Sequence, residues 1–209
     1  MSWEERREGW RARGVADGYD RVRFSGPLDR LKHRNDARRV LGLLARVGPA
    51  PLSVLDVPVG TGRMVGDLEG EGHRVTGVDL SAAMLGAGGG AAGGGAVLGE
   101  VERLPFADGA FEAAVSLRFL FHARDPDVRA RLLTELRRVA GALVVHERCA
   151  ETRKHRSRLA RGRRGTRPAP TAAEFEAELR AAGWRQVRAE RVSRLFSDKV
   201  LVLAVREDS

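Results

Sequence analysis

The sequence predicts an α/β fold: a mostly parallel, seven-stranded sheet, doubly wound with helices on both faces, whose C-terminal part runs antiparallel. Three observations carry this. Short apolar segments of strand type alternate with segments of helical period from about residue 36 to residue 206. Glycine and proline stop signals such as Gly48-Pro49, Gly70 and Gly183 close the helical segments. The last two strands, 188–192 and 199–205, follow each other with no helix between, so one of them must run against its neighbours. A length of 209 residues suits one domain with a short appendage, and 43% apolar with 31% charged residues is a globular composition. Aromatic residues are only 5%, which leaves the core to Leu, Val and Ala.

Residues 1–35 are polar, with Trp3, Trp10, Tyr19 and Phe24 as scattered apolar anchors, and read as one or two helices laid over a core. A helix is expected from Asp36, with Val40, Leu41, Leu44 and Val47 on one face and Gly48-Pro49 as its stop. Leu52–Asp56 reads as a buried strand running into the turn Val57-Pro58-Val59-Gly60-Thr61-Gly62. Met64, Val65 and Leu68 mark the next helix, which closes near Gly70, and His73–Asp79 is the second strand. A helix opening at Leu80 meets Gly86–Gly95, seven glycines in ten residues, each costing about 0.8–1 kcal/mol relative to alanine, so it should be short or frayed. Ala96–Glu100 and Phe111–Leu117 are the third and fourth strands. Asp125-Pro126 caps and starts a helix with a stripe of Val128, Leu132, Leu133, Leu136 and Val139, expected to end at Gly141. Ala142–His146 is the fifth strand. Thr171 and Glu174 form a capping box for a helix that buries Phe175 and Leu179 and ends at Gly183.

Net charge is +9, and it is concentrated. Arg148–Arg167 holds nine basic residues against Glu151 alone, a local charge of +8. That field suits phosphates, acidic substrates or anionic surfaces, or is a solvated Arg-rich loop. The single cysteine, Cys149, excludes an internal disulfide and a multi-cysteine metal site, and His33, His73 and His155 show no metal-ligand spacing. The longest strongly apolar run, Val200–Val205, is far shorter than the roughly twenty residues of a membrane-spanning helix, and no apolar stretch follows the charged N-terminus, so a cytoplasmic chain is the expectation.

Asp56, Asp79 and Glu100 fall at or just beyond the C-terminal ends of the first three strands, where open α/β sheets bind ligands. Gly60 and Gly62 let a ligand approach the backbone, and the following helix N-terminus offers free N–H groups to an anion. A carboxylate at Asp79 can accept from a ribose diol, and one at Glu100 from an exocyclic amine. The site therefore suits a nucleoside with a small anionic tail.

The segments Val54–Arg63, Val75–Leu85 and Gly99–Phe111, in this order and spacing and with the antiparallel ending, resemble a class I S-adenosylmethionine-dependent methyltransferase, most nearly the type 11 group, over about residues 36–206. The resemblance implies a Rossmann-like domain over 36–209 with a basic insertion at about 148–168, and a helical lid over 1–35. It implies that Asp56 and the backbone of Val57, Pro58, Gly60 and Gly62 hold the methionine part of S-adenosyl-L-methionine. Asp79 would hold the ribose, Leu80 would lie against the adenine, Glu100 and the Val101 backbone would read the adenine edge, and Leu117 would line the methyl donor. Pro58 stands where the family's loop has its first glycine. Tyr19 resembles a tyrosine that many relatives place on the lid. A cationic sulfonium fits a pocket where three carboxylates converge within a basic chain.

For the methyl acceptor, His122 is a candidate general base or a packing residue, and Arg118 a candidate to orient an acidic acceptor. In-line methyl transfer depends on alignment more than on acid–base groups, and proximity can supply roughly 7–11 kcal/mol. No Asn/Asp-Pro-Pro-aromatic or Pro-Cys sequence follows the fourth strand, which argues against base amines and cytosine C5 as acceptors. The expected acceptor is a small or lipid-linked metabolite, acidic if the arginines meet it. The alternatives are an RNA methyltransferase using Arg148–Arg167, a segment with no aromatic residue for base stacking, or a non-catalytic cofactor- or partner-binding module.

Overall fold

The computed structural model describes residues 2–12, 26–88, 95–161, 169–193 and 197–207. Along the chain lie α1 (Trp3–Ala12), α2 (Pro27–Leu44), β1 (Ser53–Asp56), α3 (Val65–Gly70), β2 (Arg74–Asp79), α4 (Ala82–Gly86), β3 (Ala96–Leu98), β4 (Phe111–Ser116), a 3₁₀ turn (Leu120–His122), α5 (Pro126–Val139), β5 (Ala140–Arg148), α6 (Arg153–Ala160), α7 (Ala172–Ala181), β6 (Trp184–Arg191) and β7 (Lys199–Arg206). The sheet has seven strands in the order β3-β2-β1-β4-β5-β7-β6. The first five are parallel, and β7 inserts antiparallel between β5 and β6. The expected architecture is the observed one.

Period-2 alternation sorts the core onto two faces. On one face Leu55, Ala114, Leu143, Val145 and Val202 pack with Leu132, Leu136, Phe175 and Leu179 of α5 and α7. On the other, Val54, Val115, Val144, Leu201 and Leu203 pack with Val40, Leu43 and Leu44 of α2 and with Val65 and Leu68 of α3. The same parity carries Asp56, His146, Arg148 and Lys199 to the α2 face, at the ends of their strands.

Several elements differ from the sequence expectation. The helix expected from Asp36 starts at Pro27, where proline at the first helical position follows an extended Gly26. Its first turns carry Leu28 and Leu31 largely exposed, so they hold no buried apolar stripe. Gly141 does not end α5. The backbone turns extended at Ala140, and Gly141 lies inside β5, where a Cβ would stand 3.4 Å from the Glu112 carbonyl oxygen. β6 starts at Trp184, four residues before the expected Arg188. The fully buried indole donates from Nε1 to the Leu133 carbonyl at 3.0 Å, and a register shift at Gln186/Arg188 blurs the alternation. The basic segment, read from sequence as a charge run with no element assigned to it, contains α6, capped by Thr152, whose hydroxyl accepts from the His155 N–H. The capping box at Thr171 and Glu174 is formed as expected.

Candidate active site

The turn after β1 is fixed by the strand beside it. Val59 N–H donates to the Val78 carbonyl at 2.8 Å, and Val59 packs where a Cβ on Gly77 would sit, 2.9 Å from its Cγ2. Only glycine at 77 lets the turn lie this close to β2. Gly60 and Gly62 take the left-handed conformation with φ of 58° and 74°. Asp79 then clamps the turn: one oxygen accepts from the Gly60 N–H at 2.8 Å and the other from the Ser81 N–H at 2.9 Å.

Two adjoining clefts open at the C-terminal ends of the strands. The first, of about 210 Å³, is lined by Asp79, Leu80, Glu100, Val101 and His122 among others. The second, of about 200 Å³, is lined by Asp56, Leu117, His33 and Asp36. Pro58, Gly60 and Arg118 belong to both. Asp79 and Glu100 thus share one cleft, and Asp56 stands in its neighbour. Pro58 forms the shared wall. Val57 is fully buried beneath the turn, and Gly62 shapes it without lining either cleft. Tyr19 lies outside the described residues.

Asp56 and Asp79 are both buried, and among the described residues neither has an ion-pair partner. Burial, and then the nearby Asp79 charge, lifts the Asp56 carboxyl well above the usual range. Burial also raises Asp79, opposed by hydrogen bonds from Ser81, Gly60 and Leu80. Two desolvated, like-charged groups facing open space suit a cationic ligand with hydroxyl donors, so the donor set fits a sulfonium nucleoside.

Glu100 is engaged otherwise than the sequence suggests. Its two oxygens accept from Arg7 and Arg11 of α1. Arg7 also reaches Glu102 at 3.3 Å, and Trp3 Nε1 donates to Glu102 at 2.7 Å. Trp3 and Trp10 close over Phe119 with ring centroids 6.0 Å from it, and Trp10 meets His122 edge-on at 5.8 Å. Sequence reasoning missed Trp3, Arg7 and Trp10 as lining residues. Their spacing was the available signal, since positions 3, 7, 10 and 11 share one helix face.

Arg118 is the only non-glycine residue with positive φ among the described residues, at 60°, and it donates to Asp36 at 2.8 Å. Such strain persists where the surroundings enforce it, and it is concentrated at functional sites. On the same side lies His146, fully buried on β5. Burial, opposed by Asp36 and reinforced by Lys199 and Arg118, lowers its pKa to about 3. Between about pH 6.5 and 3 the unfolded chain therefore binds a proton that the folded chain does not, and stability falls as pH falls through that window. We expect urea unfolding to lose about 2 kcal/mol more between pH 7.5 and 5 in the wild type than in a His146→Leu variant. Equal pH slopes for the two would show that His146 titrates normally in the fold.

A known family, described as a methyltransferase domain, matches residues 55–143. A demethylmenaquinone methyltransferase of Mycolicibacterium vanbaalenii is 32% identical over 198 residues, covering 84% of this chain and 85% of that protein. Among solved structures, magnesium protoporphyrin IX methyltransferase from Synechocystis, with S-adenosylhomocysteine bound, superposes with a TM-score of 0.75 at 19% identity, covering 99% of this chain and all of that one. A Burkholderia thailandensis 1,6-didemethyltoxoflavin N1-methyltransferase superposes at 0.72 with 21% identity over 100% of this chain and 92% of that one.

Proposed function

Because the chain belongs to the class I S-adenosylmethionine-dependent methyltransferases, we propose that it methylates a small or lipid-linked acceptor that enters beside Arg118 and His122. The observation that carries this reading is the pair of buried, unpaired carboxylates, Asp56 and Asp79, set against a glycine turn at the sheet's C-terminal edge. The relatives named above act on a demethylated menaquinone, a porphyrin and a toxoflavin precursor, all small molecules, which supports that class of acceptor.

The cofactor, when bound, supplies an electrophilic methyl group on a positively charged sulfur. Asp79 would accept from the ribose hydroxyls with the lone pairs that Gly60 and Ser81 leave open. Leu80 would lie against the adenine, and Glu100 and the Val101 backbone would read its edge. Asp56 and the backbone of Val57, Pro58, Gly60 and Gly62 would hold the amino-acid end, and Leu117 would line the methyl donor. Trp3 and Trp10 exclude water above, which strengthens every electrostatic contact below them. Arg118, held by Asp36, orients the acceptor. His122 takes a proton from an acceptor hydroxyl or acidic carbon as the new bond forms. Fixing the two reactants in line is the main catalytic contribution of this chain.

The test is transfer of a labelled methyl group into cell extract separated into RNA, lipid and small-molecule pools. Label is expected in the lipid or small-molecule pool and is expected to fall at least tenfold with His122→Phe. Label confined to RNA would replace this reading by the nucleic-acid one. Tight S-adenosylhomocysteine binding with no label in any pool would replace it by a binding module.

A further inference from the structure

The α2 face of the sheet carries a second group of charges beyond Arg118. His146 and Arg148 lie two residues apart on β5, and Lys199 stands directly opposite Arg148 on β7. The neighbouring charges cancel in pairs. Arg118 donates to Asp36 at 2.8 Å, and Arg158 of α6 donates to the buried Asp198 at 2.9 Å. Among the described residues, no carboxylate pairs with Arg148 or Lys199. Both rest on one ring instead, the Arg148 guanidinium carbon 4.9 Å and the Lys199 ammonium 5.4 Å from the centroid of Phe121. Phe121 belongs to the same 3₁₀ turn as His122.

Other buried polar atoms point to the same place. Arg148 Nε and both ring nitrogens of His146 have no hydrogen-bond partner among the described residues. His146 is fully buried and feels Asp36, Lys199 and Arg118 most strongly, so its ring lies within this group. Burial and then Arg118 lower the Lys199 ammonium to about 8, which leaves it largely protonated at neutral pH. Asp36 and Asp198 attract Lys199 from beyond ion-pair distance, Arg118 and Arg148 repel it, and among the described residues no ion pair offsets the repulsion between Arg148 and Lys199. A single oxyanion between them would remove that repulsion and gain charge-assisted hydrogen bonds from both.

On the strength of the methyl-transfer reading above, we propose that Arg148 and Lys199 hold the acidic end of the acceptor, and that the acceptor is a small organic acid bound through its carboxylate. Arg118 links the two regions, because it lines both clefts and lies close enough to Lys199 to perturb it. An acid anchored at Arg148 and Lys199 would extend past Phe121 toward His122 and Leu117. The basic residues Arg153, Lys154 and Arg156 of α6 begin five residues after Arg148 and draw anions to this edge.

The test uses the full chain saturated with S-adenosylhomocysteine, titrated calorimetrically with 2-hydroxybenzoate and with its uncharged analogue 2-hydroxybenzamide. The acid is expected to bind saturably and at least tenfold more tightly than the amide. Lys199→Met and Arg148→Met should each cost the acid at least tenfold, and Lys199→Arg should retain most of its affinity. S-adenosylhomocysteine affinity should be the same in all three variants, which establishes that the fold is intact. Equal binding of acid and amide, no saturable binding of the acid, or unchanged binding in both methionine variants would overturn the assignment. If the wild type fails to bind S-adenosylhomocysteine at all, the methyl-transfer reading falls, and this assignment with it.

Discussion

Asp79→Ala is expected to weaken S-adenosylhomocysteine binding by about a hundredfold or more, the largest loss from any single substitution in the cleft. Two hydrogen bonds to a charged acceptor are worth about 1.5–3 kcal/mol each, and a hundredfold corresponds to about 2.7 kcal/mol. The substitution has a second effect, because the same carboxylate holds the Gly60 and Ser81 N–H groups. Melting should therefore fall by a few degrees even without ligand. The two effects separate with the 2′-deoxy analogue of S-adenosylhomocysteine. If Asp79 meets the ribose, deleting the ligand hydroxyl and deleting the carboxylate are non-additive, and the variant scarcely distinguishes the two ligands. Equal affinity of wild type and Asp79→Ala for S-adenosylhomocysteine would remove Asp79 from the site.

The second large effect is on stability. Arg129, on the face of the sheet opposite the acid-binding cluster, donates to the fully buried Glu147 at 2.8 Å and to Glu178 at 2.6 Å. It also donates to the Leu120 and Ala123 carbonyls at 3.2 and 3.3 Å, which anchor the turn that carries His122. Burial pushes the Glu147 carboxyl upward, opposed first by Arg129 and then by a hydrogen bond from the Arg148 N–H at 2.7 Å. Arg129→Met would leave that carboxylate buried without a counter-charge, at a cost of about 3–5 kcal/mol. For a chain of this size the melting temperature should fall by roughly 10 °C. Adding Glu147→Gln to Arg129→Met should recover part of the loss, since it removes the stranded charge. At temperatures where the variant is still folded, methyl transfer should suffer more than S-adenosylhomocysteine binding, because the anchored turn belongs to the acceptor side. Melting within about 2 °C of wild type would show that Glu147 is satisfied without Arg129.

The sheet was legible because its signal is local. The short apolar run of Phe111–Ser116, the Asp125-Pro126 helix start and the Thr171–Glu174 box each specify an element within a few residues. The elements missed were those whose stability comes from elsewhere. The first half of α2 carries no apolar stripe, and α6 is hidden in a basic run, where only Thr152 and the buried His155 mark it. The candidate site divides in the same way. The turn and the carboxylates after β1, β2 and β3 lie on consecutive strand ends, so their order in sequence is their order in space. Arg7, Trp10, Asp36 and Lys199 reach the clefts or their surroundings from helices and from the last strand. Their nearness to Glu100, Arg118 and His146 arises from packing, which no short-range pattern encodes.

The grip of α1 on Glu100 makes that carboxylate a shared fastening. Each of its two oxygens takes a guanidinium donor and keeps a second lone pair, so a purine amine can join the same group without expelling an arginine. A nucleoside seated there and the N-terminal helix would then be tied to one side chain. Raising the ionic strength would slacken the two charged clasps before it touched the amine, so the helix, and not the base, would be the salt-sensitive partner.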